Sequence, residues 1–478
     1  MNVLFVASEM APFAKTGGLA DVMGALPAYL HRAGHDVRVV MPFYDRVDTT
    51  KALFEAVLDL EVVLGTHRYQ CKVFRCGKTP PVYLLHCPAL YNRGSLYTSD
   101  TDEHRRFLAL QFAALQICRR LDFTPDILHC HDWQASLLPM IIKVLDDRRF
   151  ARTRSLLTIH NLMYQGSFPV SIGPDTELTS VAHLFHQDLM RAGRVNFLLQ
   201  GILYADGVST VSPTYAQEIQ GAKYGAGLDG FLRSRSATVV GILNGVDYNE
   251  WSPERDKHIP HAYSARDLAN KERDKEHLLT SLGLPYVKGV PVIGVVSRLV
   301  GQKGFRLFDP VMFELLRKHG FQLVVLGSGE PALEDLFRRL QGQFPRQVCF
   351  YNGFKNDLAH LIEAGADMFA MPSIYEPCGL NQLYSLRYGT VPIVHRTGGL
   401  ADTVKQWRPG AGSGTGFVFE HHDAAGLRWA VEAALATYRD PHQWQRIMQN
   451  GMAEDFSWDA QGRLYELVYG RLAAAGRH

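Results

Sequence analysis

The segment FQLVVLGSGEPALEDLFRRLQGQFPRQVCFYNGF, residues 321–354, contains the repeating unit that predicts the fold of this protein. It begins and ends with short, mostly apolar runs, at 321–327 and 348–354, and such runs are typical of buried strands. The amphipathic residues between them, near 331–341, predict a helix. A strand, a helix and a second strand in this order favour a parallel pair with the helix packed across one face.

The same alternation runs through both halves of the 478-residue chain. In the first half, buried strands are predicted at 2–8, 36–43, 82–87, 126–132, 155–160 and 207–212. In the second half, strands are also predicted at 291–297, 368–373 and 391–395, and helices near 356–364, 379–389 and 424–437. Apolar strands that alternate with helices predict an α/β fold in which doubly wound parallel sheets are covered by helices on both faces.

A polar segment that begins with NGVDYNEWSPERDKH separates the two halves and has no strand pattern. The chain is also too long for one hydrophobic core. We therefore predict two tandem Rossmann-like domains, at 1–244 and 245–458. The final amphipathic helix, 459–478, could belong to either domain, and we assign it to the first. Because ligands of doubly wound sheets bind beyond the carboxyl ends of the strands, we expect strand-end loops of the two domains to line a central cleft.

The composition excludes several classes of protein. With 50 Lys and Arg against 48 Asp and Glu, the formal charge is +2, and no basic block suggests a nucleic-acid partner. No apolar run approaches the roughly 18–20 residues that cross a bilayer, and the opening MNVLFVASEM predicts a first buried strand rather than a signal peptide. Seven cysteines without a CxxC pair suit free thiols in a reducing compartment. We therefore expect a cytoplasmic protein without a membrane partner.

The stretch PSIYEPCGLNQLY, residues 372–384, presents Glu376 in a loop between a predicted strand and a helix that begins near Gly379. A glycine lets a ligand approach the backbone, and the free amides of a helix start can hold a phosphate. A carboxylate beside such an anion site fits a sugar nucleotide, which has both phosphates and hydroxyls to bind. The alternative is that Glu376 only caps the helix.

Two cations, Arg298 and Lys303, lie in the predicted strand-end loop VSRLVGQKGF. There they can neutralise a diphosphate, although they could also be unrelated charges of a solvated loop. The stretch LGSGEPALED, 326–335, matches the dinucleotide fingerprint G-x-G-x-x-A. That fingerprint needs an acidic residue at the end of the next strand, where QVCFYNGF has none, so a nicotinamide-dependent dehydrogenase is disfavoured.

Three histidines close predicted strands of the first half. His129 and His131, in HCHDW, would share one face of a strand, but no third metal ligand lies at a suitable spacing. Hydrogen-bonded, buried histidines are the favoured interpretation, and we predict no metal site. His160, in TIHNLMYQG, ends another strand, where polar groups face the ligand side of the sheet. Asn244 lies at the crossover between the domains.

The hexapeptide TGGLAD occurs twice, after Lys15 and after Arg396. Each copy predicts a Gly-Gly turn at a helix start, followed by an aspartate one turn later. A common origin of the two domains and a shared turn requirement both explain the repeat. We expect Lys15 to be a functional cation and Arg396 to have a mostly structural role.

With these residues assembled, the chain closely resembles bacterial glycogen synthases and plant starch synthases, which are retaining glucosyltransferases with the glycosyltransferase-B fold. The segments that carry the resemblance are VASEMAPFAKTGGLADV, HCHDW, TIHNLMYQG, YADGVSTVSPTYAQEI, LNGVD, SRLVGQKG, EPCGLNQLY and RTGGLADT. The resemblance implies transfer of glucose from ADP-glucose to the non-reducing end of an α-1,4-glucan, with the α configuration kept. It implies neither a metal nor a prosthetic group.

The resemblance also implies residue roles. Lys15, with Gly17 and Gly18, would meet the diphosphate of the donor, while Asp21 and His160 would lie near the transferred glucose. Arg298 and Lys303 would stabilise the departing ADP, and Glu376 would face the sugar. The residues implied beside these in donor binding are Asn244, Phe354 (packed on adenine), Cys378 and Gly379. Lys15, His160, Arg298, Lys303 and Glu376 form the predicted catalytic set.

Other functions stay open at this point. A related transferase would use another donor, such as UDP-glucose, and a phosphorylase would need a lysine that binds pyridoxal phosphate. An inactive glucan-binding or scaffold protein is a third possibility. The joint presence of Lys15, Arg298, Lys303 and Glu376 argues against it.

Overall fold

The structure is a computed structural model that describes residues 1–77, 80–144 and 147–475. The chain divides into two compact units. Unit 1 comprises Met1–Gly245 together with the chain from Trp458 onward, and unit 2 comprises Val246–Ser457. The predicted boundaries, after 244 and after 458, each differ from these by one residue. Residues 476–478 of the predicted final helix lie outside the described residues.

Unit 1 is built around a nine-stranded sheet with the order β11-β10-β7-β6-β1-β2-β5-β4-β3. Strands β8 and β9 form a separate antiparallel pair. The strands are β1 (Asn2–Val6), β2 (Asp36–Pro42), β3 (Phe54–Leu64), β4 (His67–Cys76), β5 (Val82–His86), β6 (Ile127–His131), β7 (Arg154–Ile159), β8 (Ser167–Pro169), β9 (Arg194–Asn196), β10 (Gly207–Thr210) and β11 (Val239–Gly241).

Helices pack against this sheet. They are α1 (Gly18–Arg32), α2 (Pro88–Tyr91), α3 (Glu103–Arg120), α4 (Asp132–Ala135), α5 (Leu138–Val144), α6 (Gln187–Arg191), α7 (Phe197–Tyr204), α8 (Pro213–Glu218) and α9 (Asp229–Ser234). The last described helix of the chain, Trp458–Ala475, also belongs to unit 1. Its Glu466 accepts a hydrogen bond of 2.8 Å from the Tyr29 hydroxyl of α1.

The sheet of unit 1 departs from the predicted all-parallel arrangement at one edge. Strands β3 and β4 form an antiparallel hairpin, and β4 also runs antiparallel to β5. The hairpin turns through Gly65, whose φ of +58° suits a glycine. Charged residues alternate with apolar ones along β3, so no continuous apolar run marks it in the sequence. The prediction was wrong here because it relied on such runs.

Unit 2 contains a six-stranded parallel sheet with the order β14-β13-β12-β15-β16-β17. Its strands are β12 (Val292–Val296), β13 (Gln322–Gly327), β14 (Val348–Asn352), β15 (Met368–Met371), β16 (Val391–His395) and β17 (Phe417–Phe419). Its helices are α10 (Ala269–Ser281), α11 (Asp309–His319), α12 (Pro331–Gln343), α13 (Asn356–Gly365), α14 (Asn381–Tyr388), α15 (Gly398–Thr403), α16 (Ala424–Tyr438) and α17 (Pro441–Met452), and the helix Trp458–Ala475 of unit 1 is α18.

Alternate residues of the strands in unit 2 enter two different cores. Ile293 of β12 and Leu323 of β13 pack in one apolar cluster, whereas their neighbours Val292 and Val324 pack in another. Both faces of the sheet are therefore covered, which confirms the prediction of a doubly wound sheet. Among the described residues, no helix has both the length and the apolar character that a bilayer span requires.

Candidate active site

Glu376 and Lys303 form a short ion pair at the carboxyl edge of the sheet in unit 2. Lys303 follows β12 and Glu376 follows β15, and these strands are neighbours in the sheet. The Lys303 Nζ lies 2.6 Å from Glu376 Oε2, which also accepts a hydrogen bond of 3.0 Å from the Ser373 hydroxyl. Since Glu376 is only 6% exposed, the pair holds its carboxylate in one orientation.

Glu376 does not cap the helix that follows it. The residue before α14 is Leu380, whose side chain makes no cap hydrogen bond, and the Glu376 carboxylate accepts hydrogen bonds from Lys303 and Ser373 instead. The helix-cap alternative for Glu376 is therefore wrong. Gly379 has a φ of +74°, which lets the backbone turn into the helix without a Cβ in the way. The amides of Asn381 and Gln382, the first two of α14, have no acceptor among the described residues, so they can hold an anion.

The second TGGLAD segment supports the loop that carries Glu376. A Cβ at Gly398 would overlap the carbonyl oxygen of Glu376, and a Cβ at Gly399 would overlap that of Cys378. Only glycines therefore allow this close packing between the start of α15 and the loop. Arg396, which precedes the segment, is exposed and pairs with Glu420 at 2.6 Å. The structural role expected for it stays a prediction.

Two further predicted residues of unit 2 are available to a ligand. Arg298 is exposed two residues after β12, and its guanidinium forms no hydrogen bond or ion pair with any described residue. Phe354 is 76% exposed, two residues after β14. Both follow parallel strands and so lie at the same edge of the sheet as Glu376. This edge thus carries a cation and an aromatic face that the protein itself does not use.

The first TGGLAD segment has a different environment in unit 1. A Cβ at Gly17 would have no atom within 4 Å, so the start of α1 faces open space. Lys15 Nζ lies 2.5 Å from Asp21 Oδ1. Burial raises the pKa of Asp21, and the charge of Lys15 opposes this effect. The loop therefore carries an exposed cation at a helix start, where anions are stabilised.

Glu9 is a residue of this loop that the sequence interpretation missed. Its buried carboxylate accepts hydrogen bonds from two backbone amides, that of Thr16 at 2.5 Å and that of Gly17 at 3.3 Å. It also accepts hydrogen bonds from two hydroxyls, that of Thr16 at 2.7 Å and that of Tyr97 at 2.5 Å. Glu9 therefore fixes the glycine-rich loop. The available signal was an acidic residue three positions after the end of the buried strand β1.

His160 is held at the end of β7 by two neighbouring residues of unit 1. Its Nε2 lies 2.9 Å from His131 Nδ1, and its backbone amide donates a 2.7 Å hydrogen bond to Asp132 Oδ1. Burial lowers the pKa of His160 to about 3, so the ring is neutral at physiological pH. Burial also raises the pKa of Asp132 to about 7.

The sequence interpretation missed the part that Asp132 takes in this site. Asp132 has a φ of +54°, a left-handed conformation that is uncommon for a residue other than glycine. Such backbone conformations cluster at functional sites. Aspartate tolerates this conformation better than most residues do, so the sequence HCHDW alone carries no sign of it.

The remaining predicted residues are buried. Both ring nitrogens of His129 are hydrogen-bonded, to the Tyr469 hydroxyl at 2.7 Å and to Thr158 Oγ1 at 2.6 Å, which confirms its interpretation as a satisfied buried histidine. Cys378 and Asn244 are 3% and 4% exposed. Across the described ranges, no group of three His, Cys, Asp or Glu side chains is arranged to hold a metal ion.

The structure thus places the predicted residues in two clusters, one at the strand ends of each unit. Two family models match the chain in the same two parts. The model described as "Starch synthase catalytic domain" matches residues 2–234, and the model described as "Glycosyl transferases group 1" matches residues 284–450. A glycogen synthase of Koribacter versatilis is 46% identical over 480 residues, covering 98% of each chain. The chain belongs to the glycogen and starch synthase family.

Other members of this family have comparable similarity. A glycogen synthase of Myxococcus xanthus is 45% identical, over 99% of this chain and all of the relative. The catalytic domain of starch synthase IV from Arabidopsis thaliana, solved with ADP and acarbose, is 34% identical, with a TM-score of 0.93 and 99% of each chain covered. A sucrose-phosphate synthase from Thermosynechococcus elongatus, at 18% identity and a TM-score of 0.61 with 99% of each chain covered, shares the fold. The protein is therefore a glycosyltransferase with the two-domain glycosyltransferase-B fold.

Proposed function

We propose that this glycosyltransferase transfers glucose from ADP-glucose to the non-reducing end of an α-1,4-glucan, keeps the α configuration, and so elongates glycogen. The observation that carries the proposal is the ion pair between Lys303 and the buried Glu376. It lies at one sheet edge with the unpaired guanidinium of Arg298 and the start of α14. The relatives named glycogen synthase and the starch synthase solved with ADP and acarbose support both substrates.

The proposed mechanism depends on charge stabilisation at the leaving group. As the bond from glucose to ADP breaks, negative charge develops on the phosphate. Arg298, Lys303 and the amides at the start of α14 stabilise this charge. Such electrostatic stabilisation of the transition state by groups already in place is usually the largest single contribution to catalysis. The sugar passes through an oxocarbenium-like state, and the acceptor hydroxyl attacks from the face that ADP leaves. A phosphate oxygen of the departing ADP takes the proton of that hydroxyl.

In this mechanism Glu376 positions the sugar and is not a nucleophile. Its Oε2 already accepts hydrogen bonds from Lys303 and Ser373, which lowers its reactivity toward carbon. The carboxylate instead orients glucose hydroxyls and holds Lys303 in place. Isolation of a covalent glucosyl–Glu376 adduct would contradict this role.

Unit 1 contributes the second group of proposed donor contacts. Lys15, with Gly17 and Gly18, contacts the diphosphate, while Asp21 and His160 contact the transferred glucose. The support for these roles is the open space at Gly17 and the exposed ammonium of Lys15. Asn244, Cys378 and Phe354 complete the proposed donor contacts, with Phe354 packed against adenine.

We also propose that no metal or prosthetic group takes part, because Arg298 and Lys303 supply the positive charge that the leaving group needs. A cytoplasmic location is proposed on the basis of the cysteines, all seven of which are free thiols.

The test is a comparison of donors with glycogen as the primer. We expect ADP release and glycogen elongation with ADP-glucose, and much slower turnover with UDP-glucose. Faster turnover with UDP-glucose would change the proposed donor. Glucose 1-phosphate release from glycogen and phosphate, together with the absorbance of a pyridoxal aldimine, would indicate a phosphorylase. Glycogen binding without turnover of either donor would indicate a scaffold protein.

A further inference from the structure

His131 and His160 share a hydrogen bond that has a direction. His131 is the last residue of β6 and His160 follows β7, the parallel neighbour of β6. The two rings lie 5.2 Å apart, and His131 Nδ1 is 2.9 Å from His160 Nε2. One hydrogen lies between these two nitrogens, so one ring donates and the other accepts.

The second nitrogen of His131 indicates which ring donates. His131 is fully buried, and its Nε2 has no hydrogen-bond partner among the described residues. A proton on Nε2 would be a buried N–H without an acceptor, which is rarer in proteins than a buried acceptor without a donor. The neutral His131 ring therefore carries its proton on Nδ1, and it donates to His160 Nε2.

This direction fixes the proton of His160 as well. Because Nε2 accepts a hydrogen bond, the neutral His160 ring carries its single proton on Nδ1. The Nδ1 atom forms no hydrogen bond with any described residue, and the side chain is partly exposed. An N–H donor is thus available at the ligand edge of the sheet.

We propose that His131 is a positioning residue, which holds His160 in the Nδ1–H tautomer so that Nδ1 donates a hydrogen bond to a hydroxyl oxygen of the transferred sugar. The proposal rests on the proposed function, since that function places a sugar next to His160. In the other tautomer Nδ1 would have only a lone pair, and a hydroxyl would have to turn its proton toward it.

The packing around His131 prevents the ring from adopting another orientation. Phe5 stacks on it at 5.7 Å with an interplanar angle of 17°, and the His129 ring centroid lies 4.2 Å away. The backbone of His160 is held independently, because Asp132 Oδ1 accepts a hydrogen bond from its amide. A rotation of either ring would break the 2.9 Å hydrogen bond between them without forming another.

The tautomer can be measured in the full chain by nitrogen-15 NMR after labelling of the histidines, with a His160→Gln variant to assign the His160 signals. We expect His160 of the unsubstituted protein to show a protonated Nδ1 and an unprotonated Nε2. A protonated Nε2 on His160 would overturn the proposal. This measurement needs no donor, so it stays decisive even if ADP-glucose turnover is absent, which would overturn only the proposed function.

Kinetics of variants provide the second test. His131→Leu removes the donor and should lower kcat by about tenfold, which corresponds to the loss of one hydrogen bond. His131→Asn keeps an amide N–H near the Nδ1 position and should recover kcat to within about threefold. The matched control is His129→Asn, since His129 is equally buried and bonds to Tyr469 and Thr158 instead.

A comparison of His131→Leu, His131→Asn and His129→Asn distinguishes a loss of the His160 tautomer from a loss of protein stability. We expect only His131→Leu to shift the nitrogen signals of His160, whereas His129→Asn should leave them in place. Thermal unfolding identifies any variant that fails to fold, and the spectrum of the unsubstituted protein then decides alone. Equal kcat values for His131→Leu and His131→Asn, in folded proteins, would overturn the proposal.

Discussion

The amide of Gly399 donates a hydrogen bond of 3.0 Å to the carbonyl oxygen of Glu376. The second TGGLAD segment is therefore bonded to the loop that presents the carboxylate of the site. In the first segment the amide of Gly17 is bonded to the Glu9 side chain, and the space around the Gly17 α-carbon is open. The two identical hexapeptides thus both form the turn that begins a helix, but their surroundings differ.

Alanine should destabilise the protein at Gly398 but not at Gly17, the matched glycine of the first segment. Gly398→Ala would force a Cβ against the carbonyl of Glu376 at a φ of +43°, so we expect a loss of about 1–3 kcal/mol in the free energy of unfolding. Gly17→Ala has free space and an extended φ of −159°, so its effect should stay within about 0.5 kcal/mol. Denaturant unfolding measures both, and equal losses would contradict the distinction.

Arg298→Ala and Lys303→Ala should each lower kcat by about 10²–10³-fold, because both cations act on charge that develops in the transition state. Initial rates of ADP release with glycogen give kcat and KM separately. A change confined to KM would mean that these cations only bind the donor. Lys318→Ala is a suitable control, since Lys318 is an exposed cation that pairs with Glu432 at 2.7 Å.

Lys15→Ala should reduce activity far more than Arg396→Ala. Both side chains already form ion pairs, Lys15 with Asp21 and Arg396 with Glu420. The difference lies beside them, because the start of α1 next to Lys15 faces open space, whereas the start of α15 next to Arg396 is packed against the loop of Glu376. We expect at least a tenfold loss of kcat/KM for Lys15→Ala, and less than a threefold change for Arg396→Ala, on the usual scale of charge-assisted contacts. Equal losses for the two variants would show that Arg396 also acts on the substrate.

Acid should destabilise the protein partly through His160. Its pKa is about 3 in the folded chain, against 6.5 for an unperturbed histidine, the value expected in the unfolded chain. Below pH 6.5 the unfolded chain therefore binds a proton that the folded chain does not. Between pH 7.5 and pH 5 this lowers the free energy of unfolding by about 1–2 kcal/mol. The raised pKa of Asp132 acts in the opposite direction between pH 4 and 7, because the folded chain keeps that proton.

The His160→Asn variant should therefore lose less stability on acidification than the unsubstituted protein. Denaturant unfolding at pH 7.5 and pH 5 gives the two differences. His442→Asn, a change at an exposed histidine, should follow the unsubstituted protein. If His160→Asn and His442→Asn lose stability equally, burial does not keep His160 neutral.

Dialysis against EDTA should leave the transfer rate unchanged, since the proposed charge stabilisation uses only side chains and amides. The comparison is the initial rate of ADP release before and after dialysis, with and without added Mg²⁺. A loss that Mg²⁺ restores would show that a metal ion shares the role given to Arg298 and Lys303.

The parts of the fold that the sequence predicts are those marked by continuous apolar runs. Every strand of unit 2 from β12 to β16 overlaps its predicted range, because each contains a short, mostly apolar run. The β3–β4 hairpin was missed for the opposite reason. Glu55, Asp59 and Glu61 interrupt its apolar residues, as expected for an edge strand with one face in water.

The sequence predicts those residues of the candidate site whose chemical type, at its position in a local motif, indicates a ligand. Two cations in one loop and a carboxylate before a glycine indicate a diphosphate and a sugar. Glu9 also has a partner far away in the sequence, Tyr97, and His131 is paired with His160, and no local pattern connects either pair. The sheet brings these pairs together, so only the tertiary structure shows them.

Because α18 belongs to unit 1 but follows unit 2 in the chain, unit 2 can finish folding before unit 1. During synthesis from the N-terminus, all of unit 2, Val246–Ser457, is made before Trp458, so unit 2 can fold while the chain is still growing. Unit 1 cannot be completed then, because His129 lacks the Tyr469 hydroxyl until Tyr469 has been synthesised. The half of the protein that is translated first is therefore the half that is finished last.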